Sequence, residues 1–574
     1  MDRRKTMLQK DQEPALGVEQ EGSAIPGTGM LERNIQAITT VNRSLAHRLC
    51  FPTDLDHINR DNAEQITYRI HRNTYPLAAD EGAAELILTT ISDGLEILLF
   101  GAGTGVMLNG IRQGIPSSKV HIWDRDPAVL RTLFSCVDLS AEISDGSIQI
   151  HMGADFLNLL ERKDELHFIA HPLLGQVYTA EAHLWEVGIS DKVACVCTGG
   201  LLVPDLEDAL RERGYSIVPI ELLHVSEAEI DYSLDIIKPQ LIAAINYIGG
   251  MERVAQRHSI PFLCWDMDPT TDRLAQPTGD SSHLHLFSCR PYLVESFKTQ
   301  GFENVSFLPL AANPNRRRPL TLSPEEYSHY GAHVSFVGAS LTSDAVRFQE
   351  RLFTSYCEWR GTLDARPEIQ EHLNQILAIQ RQDFSVYRIP ELMKEHMNDF
   401  LCHLASIDPA LSPTRWVAEI AAMEKRLTVM ANLGKFKPTV WGDSGWRALK
   451  KYGVRYMGGA GHMEELTRVY NASIINVDIG RIYQTDIPPM RLFDIMACGA
   501  FQLAEHSEAV SNLFEIGVEI ETWKTIGELK SKVAWYLKHP SQAGKIAARG
   551  MAAVRKDHTV TQRLKEMMAT SGTV

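Results

Sequence analysis

The sequence predicts an α/β protein built from a succession of doubly wound parallel sheets. Three observations carry the prediction. Short apolar runs bounded by polar or turn-forming residues recur at 95–100, 120–123, 193–198, 216–222, 241–246, 261–265, 284–288, 305–310, 333–337, 472–477 and 501–504. Helical or apolar stretches separate most of them, as crossovers between parallel strands require. At 95–126 a strand, a glycine-rich turn, a helix, a second strand and an acid follow one another in the order of a Rossmann nucleotide-binding unit.

A chain of 574 residues has room for three domains of ordinary size. Its 44% hydrophobic and 22% charged content is that of a soluble globular protein. A net charge of −15, from 57 basic and 72 acidic residues, argues against nucleic acid or an anionic membrane as the main partner. No apolar run reaches the length of a membrane span, and the opening MDRRKTMLQKDQEP lacks the apolar core of a secretory signal, so a cytoplasmic protein is expected. The nine cysteines are scattered. Cys195 and Cys197 share one face of a strand without forming a metal site, and reduced thiols are expected.

Residues 1–30 are polar with scattered Gly and Pro and read as a disordered tail. Leu31, Ile35, Ile38, Val41, Leu45 and Leu49 have the spacing of one helix. Within 31–190, the turn glycines Gly101, Gly103 and Gly105 allow close backbone approach, and Asp124 ends the second strand where an acid meets ribose hydroxyls. Two readings stay open there: a live cofactor site, or a scaffold that keeps its glycines for turn geometry. From 191 to 318 a fresh α/β series runs up to Asn313–Pro319, NPNRRRP, read as a linker. Its arginines serve surface solubility or, alternatively, reach a bound diphosphate.

The last domain, 319–574, opens with a strand ending at Gly338, whose lack of a side chain lets a phosphate approach. A helical insertion at 344–434 follows, with Phe348, Leu352, Tyr356 and Trp359 on one face. It either shapes acceptor choice or simply packs. The domain centres on 472–499. A strand carrying Asn476 enters a loop that ends in Pro488 and Pro489, and a helix starts at Met490. Prolines suit a first helical turn, whose free N–H groups and positive dipole end, with Arg491 beside them, form a receptor for a diphosphate. Asp486 and Asp494 stand eight residues apart, and carboxylates accept hydrogen bonds from hydroxyl-rich ligands. Gly499 turns the chain back toward the ligand, and Glu505 ends the next strand.

These residues resemble the nucleotide-binding heart of group 1 GT-B glycosyltransferases, in particular the CgeB-like (spore maturation protein) branch. The matching pattern is Asn476, then Arg491-Leu-Phe493-Asp494-Ile-Met-Ala497-Cys-Gly499, with Asp486 and Asp494 at the spacing of the superfamily's Glu pair but one methylene shorter. Further matches are Cys264-Trp-Asp266-Met-Asp268-Pro, the Phe336-Val-Gly338 turn, and the closing His558-Thr559 with Arg563. Asp266 and Asp268 face the acceptor or cap the next helix. The likeness covers 192–568. It implies a GT-B fold, two Rossmann-like domains facing a cleft, here preceded by an additional Rossmann-like domain. It also implies transfer of a sugar from a nucleotide diphosphate donor, a UDP-sugar foremost, to an acceptor hydroxyl on a protein such as flagellin or on a surface glycan. The resemblance implies that no metal is required. Arg491, Asp486 and Asp266 are the implied catalytic residues; Gly338, Asn476, Asp494, Glu505 and Gly499 bind the donor.

The 95–126 unit resembles S-adenosylmethionine methyltransferases and the Rossmann-like module of motility-associated flagellin glycosylation factors. His171-Pro172 follows Phe168-Ile-Ala with no paired Asn/Asp-Pro-Pro-aromatic motif. A methyltransferase using S-adenosylmethionine, and a non-catalytic nucleotide-sugar-binding protein, are the alternative functions.

Overall fold

A computed structural model describes residues 28–50, 57–61, 65–70, 73–78, 96–221, 225–267 and 272–573. The expected tail therefore lies outside the described residues up to position 27, as does Asp268. The strands are β1 (Ile58–Arg60), β2 (Ile66–Ile70), β3 (Asn73–Pro76), β4 (Glu96–Phe100), β5 (Val120–Asp124), β6 (Ile148–Met152) and β7 (Leu166–Ala170). Then come β8 (Val193–Cys197), β9 (Ser216–Ile220), β10 (Leu241–Ile245), β11 (Phe262–Asp266), β12 (Leu284–Ser288) and β13 (Asn304–Phe307). The last six are β14 (Ala332–Val337), β15 (Thr439–Trp441), β16 (Arg455–Tyr456), β17 (Ser473–Val477), β18 (Gln502–Glu505) and β19 (Glu521–Trp523).

Apart from the antiparallel ribbon β1-β2-β3, the strands form three sheets, ordered β6-β5-β4-β7, β13-β12-β11-β10-β8-β9 and β16-β15-β14-β17-β18-β19. The pairs with a described register in these three sheets are parallel. The architecture is mixed α/β with parallel sheets of Rossmann type. Strands such as β5, β8 and β10 are buried along their whole length, because helices cover both faces of a parallel sheet and leave no polar side.

The chain divides into two compact units, one of residues 1–264 and 277–284, the other of 265–276 and 285–572. In the first, the four-stranded sheet packs around stacked Phe100 and Trp123, whose ring centroids lie 4.7 Å apart. The single helix expected from Leu31 is two, Thr28–Val41 and Arg43–Leu49. Asn42 separates them: its side chain accepts from Leu45 N at 3.0 Å and caps the second helix, satisfying one of the N–H groups its first turn leaves free.

The second unit holds β14 to β19. Between β14 and β15 it inserts four long helices, Thr342–Arg360, Arg366–Gln380, Ile389–Ile407 and Thr414–Asn432. These have a core of their own, with Leu352, Ile369, Ile376, Met393, Phe400 and Trp416 buried together. The strand expected at 305–310 stops at Phe307, just before Leu308 and Pro309, whose ring removes a ladder donor. Among the described residues, no helix is long and apolar enough to cross a membrane. None of the nine cysteines is in a disulfide.

Candidate functional site

From β14 the chain runs outward to β15 and β16, then returns to β17 on the other side of β14. The strand order reverses between β14 and β17, and such a reversal opens a crevice at the carboxyl ends of the two strands, where doubly wound sheets bind ligands. Ser335 pairs in register with Asn476, which sets Val337 level with Asp478 at the crevice.

Two arginines straddle it. Arg491 donates from Nη1 to Val337 O at 2.8 Å, from Nη2 to Ile479 O at 3.2 Å and from Nε to Asp478 at 2.7 Å. Its guanidinium lies 4.7 Å from the centre of the Phe336 ring. Arg426 donates to Ala339 O at 2.7 Å and to Ile479 O at 3.3 Å. Burial pushes the Arg426 guanidinium down to about 9, with Arg491 and Arg481 adding like-charge repulsion. Neighbouring Lys425 pairs with Glu505 at 2.6 Å, and Glu505 also accepts from Gly480 N at 3.0 Å. Burial raises the Glu505 carboxyl, and Lys425 opposes the rise. Arg481 and Arg415 converge on Glu419, at 2.5 and 2.9 Å. Around the loop after β17, Arg415, Lys425, Arg426, Arg481 and Arg491 thus outnumber Glu419, Asp478 and Glu505. A dry site with surplus guanidinium charge suits an anion such as a diphosphate.

The helix Thr414–Asn432 explains how an insertion reaches this crevice. Arg415, Glu419 and Arg426 fall at i, i+4 and i+11, which brings them onto one face of the helix. Reasoning from the sequence missed all three. The legible signal was that charged stripe inside an otherwise apolar helix, since a charged residue on a buried face has a partner or a ligand.

The residues predicted from the sequence separate into groups. Arg491 and Gly338 meet: a Cβ on Gly338 would lie 2.9 Å from Arg491 Nη1. Glu505 belongs to the same network. Asp486 and Asp266 share a second neighbourhood, where Arg290 binds Asp486 at 2.8 Å and both acids help burial to push the Cys289 thiol up. The remaining three are engaged within their own unit. Asn476 accepts from Ser335 at 2.8 Å and donates to Tyr470 O and Phe501 O, tying strands together. Asp494 is buried, 3.2 Å from Arg317. Gly499 has φ +66° in the turn after its helix, and a Cβ there would lie 3.1 Å from Met551 Sδ.

Arg317 corrects the surface reading of the 313–319 segment. It is buried and donates to His462 O at 2.7 Å, Met463 O at 3.1 Å and Thr467 at 3.2 Å. Three consecutive arginines between prolines look solvated in sequence; the carbonyls that bury one of them lie some 145 residues away.

At the glycine turn of the first unit, Gly101, Gly103 and Gly105 all have positive φ, as a tight strand-to-helix turn requires. The space above them is filled by the protein itself. A Cβ on Gly103 would meet His171 Nε2 at 2.5 Å, and one on Gly101 would meet Leu174 at 2.8 Å. Asp124 is fully buried and accepts from Tyr178 Oη at 2.6 Å, Asp126 N at 2.9 Å and Ala102 N at 2.8 Å. Burial pushes its carboxyl up to about 7 against those bonds. With Tyr178 where a ribose hydroxyl would sit, these residues do not fit the nucleoside of S-adenosylmethionine.

A family model described as glycosyl transferase-like matches residues 421–569, a span that includes Lys425, Arg426, Arg481, Arg491 and Glu505. No curated relative matches the chain. Among solved structures, a glycosyltransferase from Rickettsia africae is similar at 10% identity, with 66% of this chain and 99% of that one covered and a TM-score of 0.40. The sucrose-phosphate synthase of Thermosynechococcus elongatus is similar at 10% identity over 66% of this chain and 98% of that one, with a TM-score of 0.38. Anabaena Alr3699/HepE in complex with UDP and glucose is similar at 10% identity over 67% of this chain and 100% of that one, with a TM-score of 0.37. Among the described residues, no group of three or more His, Cys, Asp or Glu side chains could hold a metal ion.

Proposed function

We propose that this protein is a GT-B glycosyltransferase that moves a sugar from a nucleotide diphosphate donor, a UDP-sugar foremost, to an acceptor hydroxyl on a protein such as flagellin or on a glycan. The observation that carries the reading is the pair of guanidinium groups, Arg426 and Arg491, across the β14/β17 crevice. The glycosyl transferase-like match over the same residues supports it. The leaving diphosphate gains negative charge as the glycosidic bond breaks, and preorganised cations in a dry site stabilise that charge without reorganising. In this reading 319–574 holds the donor, 191–318 serves the acceptor, and 31–190 is a Rossmann-like scaffold.

Calorimetry of the full chain with UDP and UDP-glucose, followed by release of UDP from UDP-glucose, tests the proposal. Binding is expected, and Arg491→Ala should lower turnover more than donor affinity, because the contact strengthens as the diphosphate departs. The absence of heat with UDP overturns the UDP-sugar reading. One observation favours the second reading, a nucleotide-sugar-binding protein without transfer: Asp494 is engaged by Arg317. Tight donor binding with no UDP release on any acceptor would select it.

A further inference from the structure

The loop after β17 runs against the inserted helix Thr414–Asn432, and the two are tied at successive positions. Ile479 O accepts from Arg426 at 3.3 Å. Gly480 N donates to Glu505 at 3.0 Å, and Lys425 holds Glu505 at 2.6 Å. Arg481 and Tyr483 Oη donate to Glu419 Oε1 at 2.5 and 2.7 Å, and Arg481 Nη1 also lies 2.9 Å from Tyr483 Oη. The Arg415 guanidinium lies 3.8 Å from the centre of the Tyr483 ring. The helix is itself anchored in its first turn, where Trp416 Nε1 donates to Asp272 at 2.5 Å.

Glu419 is the hub of these ties and is 1% exposed. Burial alone would raise its carboxyl, but Arg481 and Arg415 more than offset the rise and hold it below the ordinary carboxylate value. Its three donors, Arg481, Tyr483 Oη and Arg415 Nε, all fall on Oε1, while Oε2 is buried with no hydrogen-bond partner. An unpaired buried acceptor destabilises a fold, so stability does not account for an acid at this position. What the acid does hold is the loop. Two residues before Arg481, Ile479 O accepts from Arg426 and from Arg491, at 3.3 and 3.2 Å. The two guanidinium groups across the crevice are thus registered on one carbonyl, whose place depends on Arg481 and Tyr483.

We infer that Glu419 is a positioning residue for donor binding: by holding Arg481 and Tyr483 it fixes Ile479 O, and with it the separation of Arg426 and Arg491. The helical insertion then sets the shape of the phosphate site in the domain it interrupts. This rests on the glycosyl-transfer reading above and adds to it the residue that positions the two cations.

Calorimetry of the full chain and its variants with UDP, at a temperature where each is folded, tests it. Tyr483→Phe keeps the ring beside Arg415 and removes one bond to Glu419. It should weaken UDP binding about threefold to tenfold, the worth of one hydrogen bond. Glu419→Gln should weaken it about tenfold or more, and adding Tyr483→Phe to Glu419→Gln should cost little further. Arg481→Met should resemble Glu419→Gln, which keeps the test intact should the latter not fold. Ile376→Ala, in the core of the insertion, separates positioning from stability: it should lower the melting temperature and leave UDP affinity unchanged. Undiminished UDP affinity in the Glu419, Arg481 and Tyr483 variants overturns the inference, as do additive losses in the double variant or an equal loss in Ile376→Ala. Absence of UDP binding by the unsubstituted chain overturns the functional reading, and this inference with it.

Discussion

Gly338 and Arg491 are packed so closely that the glycine sets where the guanidinium lies: a Cβ on Gly338 would stand 2.9 Å from Arg491 Nη1, the nitrogen that donates to Val337 O. Gly338→Ala should therefore displace Arg491 and lower UDP affinity about tenfold, the value of a charge-assisted contact. If it acts through the arginine, adding Gly338→Ala to Arg491→Met should cost little further affinity. Calorimetry on the two single variants and the double variant measures this, and additive losses would show that the glycine acts independently.

Arg317 and Asp494 form a buried pair between the 313–319 segment and the helix Met490–Ala497. Removing the acid leaves a buried guanidinium without its counter-charge, which typically costs about 3–5 kcal/mol. Asp494→Ala should thus lower the denaturation midpoint strongly. Asp494→Glu should also destabilise, since the longer side chain must fit a space that leaves Asp494 only 5% exposed. An unchanged midpoint with weakened UDP binding would return Asp494 to donor binding.

Asp124 makes the first unit sensitive to pH. Burial pushes its carboxyl in the folded protein up to about 7 from the ordinary 3.8, so between these values the folded state holds a proton that the unfolded state has released. Stability from this group is present below the unfolded pKa and is lost as pH rises through the folded one. Asp124→Asn should flatten the fall in melting temperature between about pH 4 and pH 7. Scanning calorimetry of both proteins across that range checks it; parallel pH profiles would count against the assignment.

Gly103→Ala places a methyl group against His171 at a φ of +59°. Strain of this kind typically costs about 1–3 kcal/mol. The melting temperature should drop while UDP affinity stays within about twofold, the scatter expected of an uncoupled site. S-adenosylmethionine should give no heat with either protein, and measurable binding would reopen the cofactor reading.

How much of this was legible in the sequence depends on the range of the interactions. Apolar runs placed most strands of the three sheets, because burial on both faces of a parallel sheet is written in consecutive residues, but they gave no strand at β6, β7 or β19 and carried β13 three residues too far. The turn glycines and the prolines before Met490 were equally local, since φ preferences belong to single residues. Arg491 and Gly338 were each legible because each stands at a recognisable strand or helix end.

The partners of buried charges were decided by tertiary structure alone. Arg491 reaches Val337 across 154 positions, and Arg426 reaches Ile479 across 53. Tyr178 reaches back 54 positions to Asp124 and turns an apparent ribose acid into a core hydrogen bond. The physical reason is that periodicity encodes which face of an element is buried, whereas a charge on that face is satisfied by whatever carboxylate, carbonyl or hydroxyl the packing of distant elements brings within about 3 Å of it.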